Sequence, residues 1–179
     1  VAALGGRYFE LSGEGNIGLT FAGIPIDSKI ELIGNDWYKC SISFSGSISD
    51  ARIYPAESNG VLGTSGSIYI QDAQLNQGLV AYPYLETTTA TAQGGLLENT
   101  PRLDWSNGVP SVLVEEQRTN LFPNSEYFDA WFSTNASVLN NTTISPEGKT
   151  NATTLTGSSF GRIYQLISYN AGDYTFSVF

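Results

Sequence analysis

The chemistry open to this chain is set first by what it lacks. There is no histidine and only one cysteine, Cys40. That removes Ser-His-Asp and Cys-His catalysis, the usual zinc sites and histidine general bases. A lone cysteine also excludes an internal disulfide. Carboxylates survive this cut. Glu115 with Glu116, Glu10 with Glu14, and Asp50 with Glu57 are the pairs that could flank a glycosidic bond, which needs a spacing of ~5–9 Å. Adjacent residues on an extended segment point to opposite sides, so the first pair fails. The other two have no evident apolar pocket to raise a pKa. The expectation is a protein that is not an enzyme. Asp27, Asp36, Asp50 and Asp72 are hard oxygen ligands, but no run has the twelve-residue alternation of an EF-hand loop. A metal site therefore stays unlocated, and no cofactor is expected.

Aromatic side chains offer a different chemistry, the stacking of sugar rings. Trp37, Trp105 and Trp131 are the first to weigh. Trp37 starts a strand, opposite a core-facing series, and Trp131 follows Phe128 at helical spacing, so packing is the better account of both. Trp105 lies in a polar connector, where sugar contact and packing against a neighbouring subunit compete evenly. Tyr69 and Gln71 alternate with Ile68 and Ile70, so ring and amide would share one strand face. Such a pair can stack on and hydrogen-bond a sugar. Strands are rich in tyrosine whatever their function, so a covered sheet surface is the simpler account. Trp105, Tyr69 and Gln71 are the candidate carbohydrate contacts.

Period-two patterns dominate the elements that must position these residues. In 36–46, Tyr38, Cys40, Ile42 and Phe44 alternate with Lys39, Ser41, Ser43 and Ser45, the pattern of a half-buried strand. Cys40 then faces the core as an inert thiol. Further strands are expected at 7–11, 28–33, 51–54, 67–75, 152–156, 161–167 and 173–179. Pro83 demotes 79–84 to an edge segment at best. One helical turn is expected near 125–131, capped by Asn124 or Ser125 with Glu126 in its first turn. Ser-Pro-Glu-Gly-Lys at 145–149 reads as a tight turn. Residues 86–95 have no apolar period, and 96–121 mix apolar pairs with Pro101, Pro110 and Asn107-Gly108, an extended connector with room for one hairpin. Its apolar residues call for a sheet to cover them, with Arg118 bridging the junction.

Composition agrees with an all-β chain. Charged residues are 14% and aromatics 12%, and Ser and Thr number 36 among 179 residues. A helical bundle would need more Leu, Ala, Glu and Lys. The net charge of −9, with eight scattered basic residues, does not suit a general nucleic-acid binder. No stretch approaches the ~18 apolar residues of a membrane-spanning helix, so membrane insertion is not expected. Four Asn-x-Ser/Thr sequons start at Asn135, Asn140, Asn141 and Asn151, as chance allows in an Asn- and Thr-rich chain. The start at Val1, the lack of Met, and the stop at Phe179 within an apolar alternation read as a piece of a longer protein.

Several phrases resemble bacteriophage tail-fibre and other virion-surface proteins. Leu-Val-Glu-Glu-Gln-Arg-Thr-Asn-Leu at 113–121 resembles an "LLxExxRTNLL" phrase that opens a sandwich domain. Ser-Glu-Tyr-Phe-Asp-Ala-Trp-Phe at 125–132 resembles "SExFxxxxW", and 145–155 resembles "PDGTxxAxxL". Residues 173–179 resemble the strand "YTxSVxxK". In the first half, 34–44 is similar to "xGWYRxxxxF", and 68–83 to "YIWGAQLExGxxxxSYIPT", departing at Gln71 and Asp72. Pro-Arg-Leu-Asp-Trp-Ser-Asn-Gly at 101–108 resembles the connector "PRxDYSxG".

The order reads as the C-terminal part of one module at 1–85, a linker and connector at 86–120, and the N-terminal part of a second module at 121–179. Alternatively, 121–179 complements 1–85 within one domain. The resemblance implies an antiparallel, jelly-roll-like sandwich similar to carbohydrate-binding modules and lectins, in which a structural calcium is common. It also implies a tail fibre that attaches to host-surface glycans from the outer surface of a virion, as a homotrimer among other virion proteins. Two further functions remain open at this point. One is an accessory carbohydrate-binding region of a glycan-degrading tailspike. The other is a virion decoration protein without a ligand.

Overall fold

The computed structural model describes residues 5–21, 23–63, 65–94, 109 and 118–179, together with the backbone of 102–104 and 111–113. Its described elements are antiparallel strands and a single 3-10 turn. They are β1 (Arg7–Glu10), β2 (Asn16–Thr20), β3 (Asp27–Gly34), β4 (Trp37–Ile53), β5 (Ala56–Ser58), β6 (Val61–Leu62), β7 (Ser65–Ile70) and β8 (Gln74–Gln77). They continue with β9 (Ala92–Gly94), β10 (Arg102–Asp104), β11 (Ser111–Leu113), β12 (Arg118–Asn120), the turn Phe128–Ala130, β13 (Phe132–Ile144) and β14 (Thr150–Val178).

β14 organises the main sheet. One of its edges takes β13 and then β8; the other takes β7 and then β4, with β3 outside β4. Segments 1–85 and 121–179 are thus joined by backbone hydrogen bonds in one sheet. Their side chains share one core, which includes Phe44, Ile48 and Leu75 from the first and Phe122, Leu155, Ile163 and Phe176 from the second. The expected connector hairpin is present as β10 paired with β11, and β12 pairs with β9. Most of the connector's apolar side chains lie outside the described residues. Leu121 at its end is half-buried against the core, and its N–H donates to the Leu75 carbonyl at 2.6 Å.

A straight strand of 29 residues would span ~95 Å at ~3.3 Å per residue. β14 is not straight. Ile70 pairs with Thr153, while the next residue, Gln71, exchanges backbone hydrogen bonds with Phe179. The two ends of β14 are therefore brought together by neighbouring residues. The bends fall where pairing slips, at 158–161 against β13 and at 167–171 against β4. These are the places where the sequence pattern suggests strand ends. They are irregularities within one strand, as extra residues in a ladder produce.

Other turns follow local chemistry. Asn35 and Asp36 both have positive φ, 52° and 60°, the requirement of a two-residue hairpin loop between β3 and β4. At 145–149, the Gly148 N–H donates to the Ser145 carbonyl at 2.9 Å, with Gly148 at φ 79°. The expected 67–75 strand is broken at 71–73, where Asp72 takes φ 57°. The turn near 125–131 is one 3-10 turn whose N-cap is Tyr127 without a side-chain cap. Asn124 and Ser125 do not cap it, because Ser125 is engaged with Thr87 instead.

Within β4, Tyr38 and Phe44 are buried and Cys40 and Ile42 half-buried on the core side. Ser43, on the expected polar side, is buried as well. Its hydroxyl bonds the Thr175 hydroxyl at 2.7 Å and donates to the Leu79 carbonyl at 3.1 Å. Segment 78–85 roofs this end of the outer face. It is held by the Gln74 amide on Tyr82 O and Leu85 N–H, and by the Asn76 amide on Val80 O.

Candidate functional site

Beyond that roof, the outer face of the sheet is open. Ile163 and Gln165 are buried, so alternation sends Arg162, Tyr164 and Leu166 outward. Register places Arg52 of β4 on one side of Tyr164 and Phe132 of β13 on the other. The rings of Phe132 and Tyr164 stack, with centroids 5.5 Å apart and planes 24° apart. The Arg162 guanidinium carbon sits 5.7 Å from the Tyr164 centroid and 5.8 Å from that of Tyr54. Tyr54 meets Phe21 edge-on at 5.7 Å, and Phe21 meets Tyr8 at 5.9 Å. Six side chains thus form one continuous ladder from β1 to β13.

The charges on this face are unevenly matched. Arg52 donates to Asp50 through both Nε and a terminal nitrogen, at 3.1 and 2.7 Å. Asp50, and after it Tyr54, hold the Arg52 guanidinium still more firmly protonated than usual. Arg162 has no hydrogen bond or ion pair with a described residue, and its Nε is buried without a partner. Next to it a depression of about 260 Å³ opens, lined by Asn135, Ala136, Ser137, Thr156, Gly157 and Ser158. Its wall is the slipped segment of β14, pinned by Asn135 Nδ2 on Ser159 O at 3.0 Å and Ser158 Oγ on Asn135 O at 3.3 Å. Phe132 is 56% exposed and Tyr54, Arg162 and Tyr164 are half-buried. Rings, guanidinium donors and hydroxyls on one surface can stack on a pyranose and hydrogen-bond its hydroxyls.

Of the residues singled out from sequence, Tyr69 is 56% exposed. It lies on the same outer side of β14, in the cross-strand row Tyr69, Thr154 and Leu139. Gln71 is fully buried, so its amide is not offered on the surface beside the Tyr69 ring. Trp105 lies outside the described residues, as do Glu115 and Glu116. Trp131 is buried against Phe122 and Phe128, and its indole donates to Asn124 O at 2.9 Å. Trp37 is half-buried and donates to Ile144 O at 3.1 Å. Burial pushes the Cys40 thiol up to about 12, which keeps it un-ionised.

The sequence reading missed Tyr54, Arg162, Tyr164 and Phe132. A signal was there in 161–167, where Arg162 and Tyr164 alternate with Ile163 and Gln165. A cation and a ring two residues apart must share the face opposite the core.

The phrases that carried the resemblance serve the fold. Asn120, fully buried, accepts from the N–H groups of Leu75 and Phe122 and donates to the carbonyls of Ala73 and Leu85. Ser125 exchanges hydrogen bonds with Thr87 and meets the Tyr84 hydroxyl at 2.6 Å. Nearby, burial pushes the Asp72 carboxyl up to about 7, helped by the negative charges of Glu126 and Glu147. Burial also raises Glu126. Among the described residues no three Asp, Glu, His or Cys side chains are grouped to hold a metal. A second cavity, about 430 Å³, is lined by Gln77, Gly78, Tyr82, Arg118, Thr119 and Leu121. No family model, curated protein or solved structure matches the chain.

Proposed function

We propose that this chain is a structural and adhesive part of a phage virion, a tail-fibre segment that binds host-surface glycan on the open face around Tyr164. The observation that carries the binding half is the ladder of Tyr54, Arg162, Tyr164 and Phe132, with a hydroxyl-lined depression beside it. A stack of rings without a deep pocket suits a shallow sugar contact that binds and does not turn over. The virion half rests on the ordered phrases between residues 34 and 179. The bent β14, with both ends meeting Ile70 and Gln71, supports a jelly-roll-like sandwich as the finer description of the fold. Copies held in a homotrimer would raise weak single-site affinity through avidity.

The test is a glycan array probed with the chain and with Tyr164→Ala. Binding to a defined glycan set, lost in the variant, supports the reading. Binding that survives Tyr164→Ala, or none at all, removes it.

A further inference from the structure

Arg162 is the side chain on this face whose charge is left over. It is held between the faces of Tyr54 and Tyr164, an arrangement that fixes a guanidinium in one orientation. Its Nε is buried without a partner, and it forms no hydrogen bond or ion pair with a described residue. Asp50, which register sets opposite Leu166, is already taken by Nε and a terminal nitrogen of Arg52. A cation fixed in place with its donors unspent is an unusual feature on a chain of net charge −9. Nε is shut away from solvent, so the terminal nitrogens, which make no hydrogen bond with a described residue, are the ones left to meet a ligand oxygen.

The position of Arg162 fits an acceptor on a sugar. It is flanked by Tyr164, whose ring is stacked with Phe132, and the exposed Phe132 ring can carry the apolar face of a pyranose. The depression lined by Ser137, Thr156 and Ser158 lies at the slip in pairing that follows the Arg162–Thr134 pair. A carboxylate on a sugar seated on Phe132 beside Tyr164 would meet the guanidinium, whose fork matches a carboxylate with two parallel hydrogen bonds. Resting on the glycan-binding reading above, we infer that the site selects acidic sugars: the ligand is a glycan bearing a sugar carboxylate, which is bound by Arg162.

Matched pairs of soluble oligosaccharides test this by calorimetry on the whole chain. Suitable pairs are oligogalacturonate with its methyl ester and sialyllactose with lactose. The inference predicts that an acidic member binds about tenfold more tightly than its neutral partner, as a charge-assisted hydrogen bond implies. Added salt should narrow the gap. Arg162→Gln should abolish the preference, while Arg162→Lys should keep part of it. Circular dichroism on both variants checks that they fold. If a neutral partner binds as well as the acidic one, or if Arg162→Gln leaves the preference intact, acid selection falls while glycan binding stands. If no pair member binds, acid selection falls, and the array decides glycan binding.

Discussion

Asn120 shows what a single buried amide does here. Its four hydrogen bonds tie Ala73, Leu75, Leu85 and Phe122 together. Asn120→Leu would strand two N–H groups and two carbonyls, at a cost of about 3 kcal/mol. A urea midpoint unchanged from the parent would show that these bonds are replaced.

Asp72 makes the opposite prediction. Burial pushes its carboxyl up to about 7 in the folded state, above its ordinary value of 3.8, so the folded state holds a proton that the unfolded chain releases. Its contribution is fully present below the unfolded value and is lost as pH rises through the folded one. Stability should therefore decline between about pH 4 and pH 7. Asp72→Asn keeps a residue that tolerates the positive φ and removes the charge. It should stabilise the chain at pH 8 by about 2 kcal/mol and flatten that slope in thermal melts, whereas equal melting at pH 8 would contradict the assignment.

At this scale the sequence was only partly legible. The Arg-Thr-Asn and Ser-Glu phrases mark positions that matter, but their role as clamps depends on partners 35 to 47 residues away.

Among the elements, β14 carries the most structure and was the hardest to foresee. Alternation pointed to β3, β4 and β7, while β13, rich in Asn, Ser and Thr, was not expected as a strand. The union of 152–156, 161–167 and 173–179 into one strand did not follow. Gly157, Gly161 and Gly172 look like breakers, and only pairing with β13 and β4 carries the ladder past them. The bend at 158–161 depends on close packing. A Cβ at Gly161 would collide with Asn135 O and lie 2.5 Å from Gly157 Cα and 2.7 Å from Ser158 N. Gly161→Val should therefore destabilise the chain by about 2 kcal/mol and spread the depression lined by Ser137 and Thr156. Wild-type stability in guanidinium titration would show that the bend has room to spare. The outer-face residues Tyr54, Arg162 and Phe132 escaped notice because they come from the residue after β4, from β14 and from β13, and become neighbours only through register.

For the whole molecule, the two segments meet in one core and one sheet, and the outer face divides into a roofed end and an open end. The roof, 78–85, covers small polar side chains such as Ser43 and Thr175. The open end displays rings and guanidinium groups. This division is what sets the proposed glycan site apart from the rest of the surface. Stacked rings contribute on the order of 1 kcal/mol each, so Phe132→Ala should weaken glycan binding about fivefold without unfolding the chain, as read by titration calorimetry. The most direct measurement is a chemical-shift titration of isotope-labelled chain with a bound oligosaccharide from the array. The account predicts that the perturbed signals centre on Tyr54, Phe132, Arg162 and Tyr164. Perturbations centred instead on the Gln77, Tyr82 and Arg118 cavity would contradict it.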